Sequence, residues 1–141
     1  KDLARAFALV DTGEALSPRT RDIFREVMST STSNRLLPGG LLKGLGGVSI
    51  RGAQGEPDYS LLIKGYRVYN KTGDIGIAYA DAGLIELPDT TRAVAAFIVK
   101  GPFNDPRSSE LIRQLAAAMV PELRPKSAIS TIKKTTKSNQ Q

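Results

Sequence analysis

The residues best suited to chemistry in this 141-residue chain lie together at Tyr69-Asn70-Lys71-Thr72-Gly73-Asp74. An amine, a hydroxyl, a position with no side chain and a carboxylate follow one another there. The chain contains no His and no Cys. That excludes a zinc site of the usual nitrogen and sulfur kind, a Ser-His-Asp or Cys-His couple, a thiol redox centre and a disulfide framework. Catalysis is confined to Lys, Ser, Thr, Tyr, Asp, Glu and backbone amides, so the chemistry open to this cluster is proton transfer and attack by hydroxyl or amine. A Lys-Thr-Gly triplet is common by chance. Its weight comes from its surroundings, a strand before it and a hairpin and a capped helix after it.

Those surroundings can be read from local signals. Leu3, Phe7 and Val10 form one stripe of a helix over residues 1–10, closed by Asp11-Thr12-Gly13. Ser17 is a good N-cap and Pro18 suits the first helical position, with Ile23, Phe24, Val27 and Met28 on one face. That helix runs out in Ser29-Thr30-Ser31-Thr32-Ser33, where short hydroxyl side chains compete for backbone hydrogen bonds. Residues 39–55 hold seven of the thirteen glycines and match neither G-x-x-x-x-G-K-[ST] nor G-x-G-x-x-G. This segment is expected to be a flexible, glycine-rich connection, with a turn at Glu56-Pro57-Asp58.

Leu61 to Tyr69 reads as a bent strand, or two short ones, broken at Gly65. Ala82 to Leu87 and Arg92 to Val99 flank Pro88-Asp89-Thr90-Thr91 as a hairpin, and the second run is apolar enough to be covered on both faces. Asp105 caps a helix with Pro106 in first position, lined by Leu111, Ile112, Leu115, Ala116, Met119 and Val120 and ended by Pro121. The fold class is therefore α+β, an antiparallel sheet flanked by helices. Three strands leave edges and faces uncovered, so the domain is expected to be incomplete.

On these residues the sequence resembles the carboxy-terminal half of class A β-lactamases and related penicillin-binding serine hydrolases. Lys71-Thr72-Gly73 is similar to the third active-site motif of that family, and Ala80-Asp81-Ala82-Gly83-Leu84-Ile85-Glu86-Leu87-Pro88 to the strand after it. Leu16 to Arg21, Arg35-Leu36-Leu37-Pro38-Gly39-Gly40 and the helix from Asp105 to Met119 are similar to the family's late helices, its "LP-G" stretch and its closing helix. The resemblance covers residues 1–125 as the carboxy-terminal part of such a domain, of β-lactamase/transpeptidase-like fold.

The resemblance implies acyl transfer through a serine nucleophile on a substrate that carries a carboxylate. Lys71 would attract that carboxylate and favour proton transfer through a neighbouring serine hydroxyl, and the Thr72 hydroxyl would hydrogen-bond the same carboxylate. Gly73 would let substrate lie against the strand, and the Asp74 backbone N–H would be one of two oxyanion donors. No cofactor and no metal are implied. The partners are a β-lactam or D-alanyl peptide-like substrate and the amino-terminal half of the same fold, and the location is the periplasm or cell exterior.

Three departures accompany the match. The family's S-x-x-K nucleophile motif, its S-D-N motif and the deacylating glutamate are expected upstream of residue 1, so this chain alone is expected to be inactive. Ser130-Thr131-Ile132-Lys133 spells S-x-x-K but lies in a polar tail without a cap or apolar periodicity, and is read as coincidence. Asp74 stands where the family more often has a small residue, and Ala82 where many class A enzymes carry an arginine. A carboxylate at Asp74 would repel an anionic substrate. D-alanyl carboxypeptidase or esterase activity, and a non-catalytic binding domain on this scaffold, are the alternatives.

The net charge of +6 does not change this reading. Residues 126–141 carry four lysines and no acid, leaving only +2 on the other 125 residues. A basic polar terminus of this kind is expected to be a disordered, solvated tail, and with four Tyr, four Phe and no Trp the chain has few platforms for base stacking. No nucleic-acid partner is expected. The longest apolar run, Ala93 to Val99, is far below the roughly 20 residues that span a bilayer, and the amino terminus has neither an initiating Met nor a signal-peptide core. An upstream segment is expected for that reason.

Overall fold

The pattern of short caps, glycine turns and β-rich runs resolves into helices on both faces of one small sheet. The structure, a computed structural model, describes residues 1–29, 36–47, 61, 64–102 and 105–125. In chain order the elements are α1 (Asp2–Thr12), α2 (Pro18–Ser29), α3 (Leu37–Gly44), β1 (Arg67–Asp74), β2 (Ala78–Glu86), β3 (Arg92–Lys100) and α4 (Pro106–Ala118), followed by a 3-10 turn over Val120–Leu123. The three strands are antiparallel in the order β1-β2-β3.

The helix boundaries follow local chemistry. Gly13 ends α1 with φ +85°, a conformation that costs glycine little, and its N–H donates to Val10 O. The Ser17 hydroxyl accepts from Thr20 N at 3.3 Å at the start of α2. Asp105 caps α4 by accepting from Arg107 N at 2.9 Å, with Pro106 in first position. The hairpin at Pro88–Thr91 closes through Leu87 N to Thr91 O at 2.8 Å, with Thr90 at φ +65°.

Alternation along the strands divides the core in two. On one face Leu37, Leu41 and Leu42 of α3 pack with Ile85, Ala95, Ala116 and Val120. On the other, Phe7 of α1 packs with Tyr69, Ala82 and Leu84, joined by Phe24 and Met28 of α2. Asp11 ties the second face together, pairing with Arg25 of α2 at 2.7 Å and Arg92 of β3 at 2.9 Å.

Three expectations are corrected. The glycine-rich segment is not a loop over residues 37–44: it is the buried helix α3. Its glycines serve contact, since a Cβ on Gly40 would lie 2.4 Å from Arg113 O and one on Gly44 would lie 2.7 Å from Ala117 O. Small residues four apart let α3 approach the backbone of α4, and packing overrides weak helix propensity. The strand read as starting at Leu61 starts at Arg67, because Gly65 at φ +79° makes a turn against Pro88. β2 begins at Ala78, not Ala82, because its first half, two alanines with Tyr79 and Asp81, is held by pairing with β1 and not by strong β propensity of its own.

The apolar face expected on α2 is divided: Phe24 and Met28 pack inward while Ile23 is 50% exposed. The α4 stripe divides in the same way, with Ile112 and Ala116 fully buried and Leu111 and Leu115 exposed. The turn expected at Glu56-Pro57-Asp58, the S-x-x-K at Ser130–Lys133 and the basic tail lie outside the described residues. Among the described residues no helix is long and apolar enough to cross a membrane.

Candidate active site at the open edge of the sheet

Lys71, Thr72, Gly73 and Asp74 occupy the last four positions of β1, opposite Ala82, Asp81, Ala80 and Tyr79 of β2. Among the described residues β1 pairs only with β2, so among them its other edge is unpaired. Side chains alternate across the sheet, which places Lys71 and Gly73 on the face of Tyr69 and puts Thr72 and Asp74 on the face of Asn70. A strand end thus presents its amine and its hydroxyl on opposite sides of one exposed backbone edge.

Each position has a distinct setting. Lys71 is exposed, and its ammonium donates to Thr72 O at 2.6 Å. Thr72 is half-buried. At Gly73 the nearest atom to an added Cβ is Ala80 Cβ at 3.7 Å, which is ordinary contact. Gly40, Gly44 and Gly83 are instead demanded by neighbours within 3 Å. Nothing described within this chain requires a glycine at position 73.

The Asp74 amide is placed by the ladder. Ile75 N donates to Ala78 O across the hairpin at 3.2 Å. Strand amides alternate in direction, so the Asp74 N–H points to the open edge. The Asp74 carboxylate accepts from Gly76 N at 3.2 Å, which turns it toward its own hairpin. Ala82, opposite Lys71, is 1% exposed and packed among Phe7, Tyr69 and Leu84. That position is interior here.

Beneath the triplet lies a residue that the sequence reading passed over. Asp81 is fully buried, and its carboxylate accepts from Asn70 Nδ2 at 3.0 and 3.1 Å and from Leu37 N at 2.8 Å. It supplies from β2 the cap that Leu36, the residue before α3, does not provide. Burial pushes its carboxyl above the usual carboxylate range, opposed by the bonds from Asn70, Leu37 and Ala82 and by the charge of Lys71. The available signal was an acid inside the otherwise apolar run Ala78-Tyr79-Ala80-Asp81-Ala82-Gly83-Leu84-Ile85. No group of three or more Asp or Glu side chains among the described residues could hold a metal ion.

Comparison with known proteins gives the family and the fold. The model of the beta-lactamase enzyme family matches residues 1–123. The chain belongs to that family. Solved structures of PBP-A, among them an acyl-enzyme complex of a variant with penicillin G, are 40% identical, with a TM-score of 0.67 over 86% of this chain and 38% of theirs. A beta-lactamase from Chitinophaga pinensis shares the fold at 20% identity, with a TM-score of 0.61 over 86% of this chain and 40% of that one. One from Sphaerobacter thermophilus does so at 21% identity and a TM-score of 0.56, over 88% and 40%. None of the curated proteins searched matches.

The beta-lactamase-family chain therefore spans about two-fifths of the length of these solved structures. Its α+β fold is that of the β-lactamase and transpeptidase proteins, and three strands with part of their helical cover are consistent with an incomplete domain.

Proposed function

We propose that this chain forms one wall of the active site of a serine hydrolase that acylates on β-lactams, with the attacking serine outside residues 1–141. The observation that carries the reading is the open strand edge, where an exposed ammonium, a hydroxyl, an unfilled glycine position and an outward N–H succeed one another. The reported acyl-enzyme of a PBP-A variant with penicillin G supports the substrate class.

In this mechanism the substrate lies along β1 in antiparallel fashion. Its carboxylate meets the Lys71 ammonium and the Thr72 hydroxyl, a charge-assisted pair that fixes its orientation. Gly73 gives the ring room. The serine Oγ bonds to the lactam carbonyl carbon, the C–N bond opens and the hydroxyl proton ends on the leaving nitrogen. Lys71 favours that transfer by lowering the energy of the neighbouring anionic groups, and the Asp74 N–H donates to the developing oxyanion, where loss of one donor costs about 3 kcal/mol. The amino-terminal half of the fold supplies the remaining motifs. Export to the periplasm or cell exterior accords with the family.

A labelled penicillin incubated with the 141-residue chain should leave no covalent adduct, and the same label should mark the protein once the upstream half is present. An adduct on the isolated chain would contradict the division of labour. D-alanyl carboxypeptidase or esterase activity uses the same parts, and hydrolysis of a D-alanyl-D-alanine peptide against a cephalosporin separates the two.

A non-catalytic binding domain is the second reading. It is favoured by Asp74, whose exposed carboxylate adds negative charge beside an anionic ligand. An upstream sequence with S-x-x-K on a capped helix decides for the enzyme; its serine replaced decides for binding.

A further inference from the structure

The buried Asp81 does more than fill the interior. It stands directly opposite Thr72 in the β1–β2 register, and on the same face it grips Asn70, the residue before Lys71. Through its other contact it holds the first N–H of α3 at 2.8 Å. One carboxylate thus joins three elements at the point where β1 becomes a site. The joint matters because β1 is an edge strand among the described residues, paired on one side only. A strand held by a single ladder can shift or twist at its free end, and a displacement of about 1 Å at a reacting group can cost on the order of 100-fold in rate.

A carboxylate in this place is also chemically expensive. It is fully buried, and its hydrogen bonds come from one neutral amide side chain and from backbone N–H groups. No cation among the described residues pairs with it directly, and the charge of Lys71 acts on it only at a distance. An apolar residue would fill the same space at lower cost in desolvation. A buried charge with satisfied hydrogen bonds instead fixes one arrangement of its neighbours.

We propose that Asp81 is a positioning residue for the reaction, clamping Asn70 to the start of α3 so that Lys71 and Thr72 meet the substrate carboxylate in register. The proposal rests on the reading of Lys71 and Thr72 as carboxylate binders. Asp81 touches no substrate itself.

The test compares two acylating probes on the full-length protein, benzylpenicillin and its methyl ester, in which the carboxylate charge is replaced by a neutral ester. Lys71→Ala comes first and should slow the free acid far more than the ester. Asp81→Asn keeps an acceptor for Leu37 N but sets an amide NH₂ against that of Asn70. It should slow the free acid selectively as well, on the order of 10- to 100-fold. The exchange Asn70→Asp with Asp81→Asn restores a donor–acceptor match and should recover most of the free-acid rate. A general loss of folded protein would lower both probes equally.

Where Asp81→Asn does not fold, Asn70→Ala removes the link to β1 while leaving the cap on α3, and the same selectivity is expected. Selective loss in Lys71→Ala with equal losses in the Asp81 and Asn70 variants would overturn the clamp alone. Equal losses in Lys71→Ala would overturn the carboxylate reading, and the clamp with it.

Discussion

The two faces of the sheet are built to different standards. On the α3–α4 face, Leu37, Ile85, Ile112 and Ala116 have no exposure at all, and two glycines bring the helices to backbone contact. On the α1–α2 face the inward side chains Phe7 and Tyr69 each keep 8% exposure, while Ile23 of α2 and Ile98 of β3 remain 50% and 68% exposed. The Phe7 and Phe24 rings meet edge to face at 5.9 Å, and ion pairs from Asp11 do much of the joining. One face carries the larger buried cluster. The other is a thinner layer whose apolar side chains the described residues leave open. The candidate site lies at the strand end that belongs to both, with Lys71 on the thin face and Thr72 and Asp81 on the dense one.

The comparison breaks if the dense face tolerates damage. Ile85→Ala removes a fully buried side chain and is expected to cost about 2–5 kcal/mol. Urea denaturation of the full-length protein measures it, and a loss below 1 kcal/mol would mean that this core adjusts freely. Gly40→Ala comes next. Its methyl group would sit 2.4 Å from a carbonyl oxygen of α4, so the helices must separate, at about 1–3 kcal/mol.

A smaller effect follows from Asp81. Its folded-state pKa is raised by burial above the ordinary 3.8. Its ionisation therefore opposes folding, and its contribution to stability is full below the unfolded pKa and lost as pH rises through the folded one. Relative to Asp81→Asn, the parent should gain stability as pH falls from 7 toward 4. Denaturation curves for both across that range test the sign, and a difference that is flat or moves the other way would contradict the burial argument.

The smallest effects sharpen the contrast from the other side. Ile23→Ser on the thin face should change the stability of the isolated chain by no more than about 0.5 kcal/mol. Gly73→Ala should be equally mild for folding, since the nearest atom is 3.7 Å away, yet it should impair acylation. Alanine is thus expected to act on stability at Gly40 and on activity at Gly73. Loss of stability in Gly73→Ala would make that glycine structural.

Legibility in the sequence followed the same division between local and non-local causes. The starts of α2 and α4 could be read because their caps are local: Ser17-Pro18 and Asp105-Pro106 carry their own hydrogen bonds and φ preferences. The hairpin at Pro88–Thr91 is local too. Helix α3 was hidden because Gly40 and Gly44 are poor helix formers, and only the backbone of α4, more than 70 residues on, explains them. The start of β2 was hidden because Ala78, Ala80 and Asp81 are weak strand formers held by pairing with β1. Lys71, Thr72 and Gly73 stood out as a motif, whereas the only local sign of Asp81 is an acid in an apolar run, and its partner Leu37 lies 44 residues away.

The most direct measurement is a crystal structure of the full-length protein trapped with benzylpenicillin. Lys71 Nζ should have left Thr72 O for the substrate carboxylate, at about 2.7–2.9 Å, with Thr72 Oγ1 on the same group. The Asp74 N–H should lie about 2.7–3.1 Å from the acyl carbonyl oxygen. An adduct whose carboxylate lies away from β1, with the Lys71 ammonium still on Thr72 O, would contradict the central claim that this open strand edge receives the substrate.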